Sequence, residues 1–332
     1  MYRFVFMIMA LLGIAVGGCW KTQSPPLAAS PDVDTDADTD TDVDSDSDAD
    51  TDPDTGDEIV CTGETWYGDV YIEHDEELEA LRGYAATNGD LNISCDDCAD
   101  IDDLVCLEEV GDSLVINAPE LTNLDGLSSL AEVGAQQDLG AFIIKDNEKL
   151  ADLGGLSSLT RIGNLLEITR NPLIEDLDGL AQIQRDEDEG MLMLTISQNE
   201  SLENVDGLSW VGQLSELSIN NNYSLGDLDG LGGATVIDAE LVVAHNTALG
   251  EVAFFEGLEA LGAVTIAHNA SLTSLGVLPA GLHLEGSVVV EDNPQLPYCQ
   301  ICQMIQNVPD VDFGDLEDNL EDACWNGALD CP

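Results

Sequence analysis

The chain has 332 residues, of which 67 are acidic and 8 basic, and its formal net charge is −59. A chain so acidic repels nucleic acid and anionic lipid surfaces, which excludes both as ordinary partners. After residue 58 there remain 53 acidic and six basic residues, a net charge of −47. No cofactor follows with certainty; calcium is the one that the charge favours, although a solvated acidic surface suited to a salty medium is the simpler explanation.

Residues 1–19 have the organisation of an export signal. An apolar run over residues 5–16 follows Arg3, and two glycines then lead to Cys19. This order is typical of a secretory signal peptide. The sequence Val-Gly-Gly-Cys resembles a bacterial lipobox, which implies that Cys19 is lipidated; the alternative is an ordinary signal peptide with an incidental cysteine. We therefore expect a lipid anchor in the bacterial cell envelope, in the outer membrane or at the cell surface.

Residues 20–58 are dominated by aspartate, which occupies every even-numbered position from Asp32 to Asp54. Such a segment cannot bury apolar area, and its like charges extend it. A calcium-loop fragment, Asp-Pro-Asp-Thr-Gly, ends at Gly56, but it lacks the length and the terminal glutamate of an EF-hand loop. We expect a disordered tether, with a metal loop as the alternative.

Residues 59–298 repeat one pattern that is marked by an asparagine. The seven asparagines are separated by 24, 28, 23, 24, 23 and 24 residues: Asn147, Asn171, Asn199, Asn222, Asn246, Asn269 and Asn293. A fixed period of this size is typical of a solenoid. Before Asn171, the apolar Leu166 and Ile168 alternate with polar residues, which predicts a half-buried strand. After each asparagine the apolar residues recur every third position, which predicts a tight return segment and no helix.

Stacked turns of this kind predict a mainly β fold, a parallel β-solenoid of about ten turns with strands about 4.8 Å apart. We expect strands to begin near Asp69, Asp90, Ser113, Ala141, Leu165, Leu192, Glu216, Glu240, Ala263 and Ser287. Asparagine suits a ladder because its side chain can donate to and accept from the backbone at a bend and its copies on the turns above and below. In the early turns, Cys95 and Ala118 fall near the asparagine position.

The repeat reads Gly-x-Leu-x-Ile-x-x-Asn-x-x-Leu-x-x-Leu-x-Gly-Leu-x-x-Leu-x-x-Ile-Gly and covers roughly residues 66–302. It resembles bacterial proteins of the receptor L-domain and leucine-rich-repeat group. The resemblance implies a right-handed solenoid and a binding scaffold whose partner varies. The leucine before each strand and the helical return of a full leucine-rich repeat are not clear here, which favours the L-domain-like form.

Eight further cysteines divide equally between the two ends of the repeat array: Cys61, Cys95, Cys98, Cys106, and Cys299, Cys302, Cys324, Cys331. Solenoid ends expose a core, and disulfides are the natural staple in an exported protein. We expect disulfide-stapled caps, the second over residues 299–332, with three pairings open in each. Zinc bound by the two Cys-x-x-Cys pairs is the alternative. Cys299 and Cys302 are expected to take the inward leucine places after Asn293.

Two rows of polar side chains are metal candidates. His245, His268 and Asp292 each precede a ladder asparagine, so stacking would align them, but a straight row converges poorly on one ion and chance alignment is simpler. Asp178, Asp206 and Asp229 each precede a glycine in the return segment, where calcium could offset their repulsion. The alternative for this second row is turn chemistry, with the glycine at positive φ.

The outward strand positions predict a flat face of mostly small side chains. One row holds Val115, Ile143, Glu167, Thr195, Ser218, Val242, Thr265 and Val289, and the other Asn117, Lys145, Thr169, Ser197, Asn220, Ala244, Ala267 and Glu291. Such a face suits a protein or extended-polymer ligand, and it has no aromatic platform for sugars; Trp210 is a candidate outward contact.

Catalytic motifs are missing from the sequence, including Gly-x-Ser-x-Gly, His-Glu-x-x-His and a phosphate loop. We therefore predict a non-catalytic recognition or adhesion protein. The alternatives are a β-helical lyase or glycosidase that acts on envelope glycans, and a purely structural surface component.

Overall fold

The computed structural model describes residues 59–134, 140–185, 190–279, 281–307, 314, 316 and 318–320. By its contacts the chain divides into two units, Met1–Thr55 and Gly56–Pro332, and the repeats belong to the second. The predicted signal peptide, the tether and three cysteines, Cys19, Cys324 and Cys331, lie outside the described residues. Within the described part of the chain, no helix has the length and apolarity needed to cross a bilayer.

Two parallel sheets form the body of the protein. With strands numbered in chain order, the larger sheet holds β2 (Val70–Ile72), β4 (Leu91–Ser94), β6 (Leu114–Asn117), β8 (Ala141–Lys145), β10 (Leu165–Thr169), β11 (Leu192–Ser197), β12 (Gln213–Asn220), β13 (Val236–Ala244), β14 (Ala260–Ala267), β15 (His283–Leu284) and β16 (Val288–Glu291). The smaller sheet holds β1 (Thr65–Trp66), β3 (Ala86–Thr87), β5 (Glu109–Val110), β7 (Glu132–Val133) and β9 (Arg161–Ile162). The predicted mainly β fold with parallel sheets is confirmed, and it is consistent with a β-solenoid.

Alternating residues of each strand build the core. In β10, Leu166 and Ile168 are fully buried, whereas Glu167 between them is partly exposed. The register places Leu166 beside Phe142 of β8 and Leu194 of β11, so that apolar rows run along the stack. Burying one such side chain contributes about 1.5–3 kcal/mol, and the repetition on every turn gives one continuous core.

Short 3-10 helices form the return segments. They span Asp75–Leu81, Asp102–Leu104, Asp125–Leu127, Gly154–Leu156, Asp178–Leu180, Asp206–Leu208, Asp229–Leu231 and Ala253–Gly257. Residues three apart are eclipsed in a 3-10 helix, which explains the period-three spacing. Leu177, Leu180 and Ile183 accordingly all face the core.

The glycines of the return segments have a different role from the predicted one. Gly179 and Gly207 are not among the glycines with positive φ. A Cβ on Gly179 would lie 1.9 Å from the Leu153 carbonyl oxygen, and one on Gly207 would lie 2.0 Å from that of Leu177. The prediction of positive φ was wrong here, because close approach of successive turns is what requires glycine.

One α-helix, α1 (Tyr298–Asn307), follows β16, and the prediction that no segment is helical was wrong there. Tyr298, Ile301 and Met304 are buried at helical spacing and join the core. Cys302 is also buried, but Cys299 is only partly buried, so the inward place predicted for Cys299 was wrong. The helix turns the chain by 3.6 residues per turn, which replaces the period of three on which that prediction depended.

The two sheets are separate in the early repeats and become continuous in the later ones. The smaller sheet ends at β9. Strands β12, β13 and β14 are 8, 9 and 8 residues long. They continue through the bend at which each turn passes from the side of the smaller sheet to the larger sheet, and we call this bend the corner. Register shifts between Leu214 and Glu216, and between Ile237 and Glu240, mark bulges at that corner.

Candidate binding face and its flanking rows

The seven ladder asparagines are fully buried and joined from turn to turn. The Oδ1 of Asn222 accepts hydrogen bonds from the backbone N–H and the Nδ2 of Asn199, at 3.0 and 3.3 Å. Its Nδ2 donates to the carbonyl oxygen of Ile196 and to the Oδ1 of Asn246. One amide thus serves donors and acceptors on several turns, which an aliphatic side chain of the same size cannot do.

The ladder extends beyond the seven predicted positions. At its start, the N–H of Ala118 donates to the Oδ1 of Asn147 at 2.7 Å, so Ala118 occupies the rung where an asparagine is missing. At its end, Asn319 accepts from the N–H of Asn293 and donates to the carbonyl oxygen of Val290. Asn319 lies 26 residues after Asn293, and an Asp-Asn-Leu sequence there was the available signal.

The residue before each ladder asparagine has a left-handed backbone. The φ angles lie between 53° and 59° at Asp146, Arg170, Gln198, Asn221, His245, His268, Asp292 and Asp318. We call this set the left-handed row. Asn, Asp and His tolerate positive φ better than other side chains do, and they hold six of the eight places. This enrichment is visible in the sequence and is the signal for the conformation.

The C-terminal end of the left-handed row brings the predicted histidines together. The rings of His245 and His268 stack with centroids 4.4 Å apart and planes inclined by 12°, and His268 Nδ1 lies 3.2 Å from Asp292 Oδ2. Burial, and then the charge of His268, lower the pKa of His245. The three side chains form a chain of neighbours; they do not form a group of three ligands that all lie within 4.8 Å of one another.

The predicted aspartate row is exposed on the return segments. The backbone N–H of Asp229 donates to the Oδ1 of Asp227 at 3.1 Å, and equivalent bonds fix Asp178 and Asp206. Burial and the neighbouring carboxylates, Asp227 first, raise the pKa of Asp229. This is turn chemistry, and the three carboxylates do not form a metal-sized group among the described residues. Calcium binding by this row stays a prediction.

The outward side chains of the larger sheet form a face in strict register. Its first row reads Tyr71, Asn92, Val115, Ile143, Glu167, Thr195, Ser218, Val242, Thr265 and Val289 from β2 to β16. We call this surface the strand face. Ten strands at about 4.8 Å make it roughly 43 Å long. Tyr71, 60 % exposed, is an aromatic at its N-terminal end that the sequence pattern did not reveal.

Side-chain hydrogen bonds order the middle of the strand face. The Ser197 hydroxyl donates to the Oδ1 of Asn220 at 2.8 Å, and the Nδ2 of Asn220 donates to the Ser218 hydroxyl at 2.9 Å. Asn221 donates to the same Asn220 oxygen. These polar groups are held in place before any ligand arrives, which lowers the entropy that a ligand must overcome.

The basic groups beside the strand face belong to its first half. Arg170 binds Asp146 through two hydrogen bonds and holds the pKa of that carboxyl below its usual range. Lys149 pairs with Glu120 in the same region. Beyond residue 186 the chain has neither lysine nor arginine, and the first row of the strand face there consists of Thr195, Ser218, Val242, Thr265 and Val289.

Trp210 lines a cleft instead of projecting outward. Its Nε1 donates to the Gly207 carbonyl oxygen at 3.0 Å, and its ring packs against the core. The cleft has a volume of ≈ 220 Å³. Its lining also includes Arg185, which donates to the carbonyl oxygens of Ile162 and Gly163 at the edge of β9. Arg185 thereby takes the place of a next strand in the smaller sheet.

The cysteines confirm the disulfide prediction where they are described. Cys61 is bonded to Cys106 and Cys95 to Cys98, a pairing that the sequence left open. Cys299 and Cys302 are also disulfide-bonded.

Comparison with protein-family models and with curated proteins finds no match to this chain.

Proposed function

We propose that this chain is a non-catalytic recognition or adhesion protein of the bacterial cell envelope, and that the strand face binds a protein or an extended polymer. The proposal includes a lipid anchor at Cys19, an acidic tether over residues 20–58, and a right-handed, L-domain-like solenoid of about ten turns with disulfide-stapled caps. The observation that carries it is the strand face itself.

The shape of the strand face favours a long ligand. Its rows are uninterrupted over ten strands in register, and its side chains are mostly small. A surface roughly 43 Å long and flat offers many shallow contacts, whereas small molecules bind in concave pockets. Ordered polar groups at Ser197, Ser218 and Asn220 supply hydrogen bonds near the centre.

The charge beside the strand face differs between its two halves. The ion pair of Arg170 with Asp146 flanks the first half, whereas His268 with Asp292 flanks the second, where the chain has no lysine or arginine. Aliphatic side chains occur in both halves, as at Ile143 and Val242. A partner that carries apolar and polar groups along its whole length matches this face.

The test is binding of the purified full chain to envelope fragments of its native host, measured by sedimentation. Ser218→Arg places a long charged side chain in the centre of the strand face and should weaken binding at least tenfold. Ser158→Arg, on an exposed return after the 3-10 helix Gly154–Leu156, is the matched control and should bind normally. Normal binding by both variants would show that the strand face is not the contact.

Two further measurements separate the remaining parts of the proposal. In cells, Cys19→Ser should abolish palmitate labelling and release the protein from the membrane fraction; persistent labelling would contradict the lipid anchor. Release of unsaturated or reducing sugars from the same envelope fragments would favour the glycan-active alternative over recognition.

A further inference from the structure

The turn after β4 places two sulfurs and a carboxylate together. Cys95 and Cys98 are fully buried, and Asp97 between them is exposed. The Cys95 Sγ lies 3.2 Å from Asp97 Oδ1, and the ligand atoms of all three residues lie within 4.8 Å of one another. No other such group of three occurs among the described residues.

A histidine lies beside Asp97 on the solvent side, outside the group of three. His74 Nδ1 lies 3.8 Å from Asp97 Oδ2, and the His74 and Asp97 side chains are 65 % and 61 % exposed. The other Asp97 oxygen accepts the backbone N–H of Asp75, which fixes the carboxylate between the sulfur and the ring. Two interior sulfurs therefore face an oxygen and a nitrogen at the surface.

We propose that Cys95, Cys98, Asp97 and His74 form a thiol-gated site for a soft divalent metal ion such as Zn²⁺. The disulfide closes the site, and reduction by a dithiol opens it. Cys-x-x-Cys is the spacing of a zinc half-site, and zinc takes four ligands from sulfur, nitrogen and oxygen. With bonds of about 2.0–2.3 Å, tetrahedral ligand atoms lie roughly 3.3–3.8 Å apart. The 3.2 Å between Cys95 Sγ and Asp97 Oδ1 is already close to this value, whereas the exposed His74 side chain must rotate towards the sulfurs to bind the same ion.

The chemistry balances as two steps. A dithiol gives two electrons and two protons to the Cys95–Cys98 disulfide, the S–S bond breaks, and the dithiol becomes a disulfide. Zn²⁺ then displaces both thiol protons into solvent and accepts electron pairs from the two thiolates, the Asp97 carboxylate and the neutral His74 Nδ1. Because two protons are released, binding strengthens as pH rises. The surrounding acidic surface raises the local concentration of cations.

The consequence is that one cross-link replaces another at this turn. In an oxidising medium the disulfide closes this turn, and in a reducing medium the metal ion holds the same residues. The N-terminal end of the repeats thereby keeps one cross-link in both conditions.

The experiment uses the full chain, reduced with dithiothreitol and desalted without oxygen, with Co²⁺ as the spectroscopic probe. Reduced protein should develop a thiolate-to-cobalt charge-transfer band and intense tetrahedral d–d bands, saturating at one equivalent, and oxidised protein should develop neither. Zn²⁺ should displace the cobalt and raise the Tm of the reduced protein only. Absence of the bands in reduced, folded protein would overturn the proposal.

Variants assign the ligands. Asp97→Asn and His74→Ala alter exposed side chains and should each weaken Co²⁺ binding at least tenfold, while His283→Ala, an exposed histidine beside Glu285, should leave it unchanged. Reduction also frees the other cysteines, so Cys95→Ser with Cys98→Ser must abolish the charge-transfer band. A band that persists in this double variant, or unchanged affinity in both Asp97→Asn and His74→Ala, would show that the ion binds elsewhere.

Discussion

The repeats before β11 and those from β12 onward turn the same corner in two ways. In the early repeats a glycine stands at the corner, and a Cβ on Gly163 would lie 2.2 Å from the Gly140 carbonyl oxygen. Successive backbones are therefore in contact there, and the smaller and larger sheets are separate. In β12 the corner residue is Ser215, and the strand bulges and continues. A glycine at the corner does not by itself break the strand, because β14 is continuous through Gly262, where a Cβ would lie 2.1 Å from the Ala239 carbonyl oxygen.

The left-handed row differs between the same two regions. In the early repeats it holds the ion pair of Asp146 with Arg170, and in the later ones the stacked rings of His245 and His268. The backbone conformation is the same in both, with φ near 57° at Asp146 and 59° at His245. The ladder asparagine behind the row fixes the backbone, so the side chain is free to differ.

Removing a central rung of the ladder has the largest expected effect, because the ladder runs through both regions. Asn222→Ala leaves the buried backbone N–H of Asn199 without its acceptor, and it removes the bonds that Asn222 Nδ2 donates to the Ile196 carbonyl and to Asn246 Oδ1. We expect the free energy of unfolding to fall by about 3 kcal/mol, measured by urea denaturation.

Asn319→Ala, at the end of the ladder, is the comparison variant for Asn222→Ala. It removes fewer bonds between rungs, and we expect a loss of about 1 kcal/mol. Equal losses in the two variants would contradict a ladder whose rungs support one another.

Substitutions at Gly163 and at Ser215 test the comparison of the two corners. Gly163→Ala places a Cβ against the backbone of the preceding turn and should lower the free energy of unfolding by about 1–3 kcal/mol. Ser215→Ala removes one weak hydrogen bond, of 3.3 Å to the Leu192 carbonyl oxygen, and should cost less than about 1 kcal/mol. A larger loss of thermal stability in Ser215→Ala than in Gly163→Ala would contradict the proposed difference between the two corners.

Gln198 tests the left-handed row, because it lies between the early and the late repeats. Gln198→Val puts a β-branched side chain at φ 58° and should cost about 1 kcal/mol. Thr195→Val, an outward position in the same strand, is the control and should stay within about 0.5 kcal/mol of the native protein. Stability unchanged at Gln198 would mean that the backbone there relaxes out of the left-handed region.

The smallest expected effect is a difference in pH dependence. Burial and His268 lower the folded pKa of His245, so its contribution to stability is present above the unfolded value of about 6.5 and is lost as pH falls through the folded pKa. Asp146 has a lowered pKa too, and its contribution is lost only below about 3.9. His245→Gln should therefore flatten the Tm profile just below neutral pH.

Arg170→Gln is the matched variant in the early repeats. It removes the partner of Asp146 and should change the Tm profile only in the acid range. Two results would contradict the assignment of these pH ranges to His245 and Asp146. One is a change in the Tm of Arg170→Gln just below neutral pH, and the other is an unchanged Tm profile of His245→Gln in that range.

Local patterns in the sequence were enough to predict the repeat, the inward side chains and the ladder. Leu166 and Ile168 are buried as their alternation predicts, and Asn171 is buried behind them. These properties follow from local periods of two and three, which every copy repeats. Because the pattern recurs in register, it predicts which residues face the core.

Contacts between turns account for the features that local patterns did not predict. The Asp-Gly glycines are required by a carbonyl of the preceding turn, as at Gly207, and Asn319 is a rung although it lies 26 residues after Asn293. The pairing of Cys61 with Cys106 likewise joins residues 45 apart. Periodicity tells which way a side chain points, but the distance between two turns depends on how the whole stack packs, and the linear sequence does not contain it.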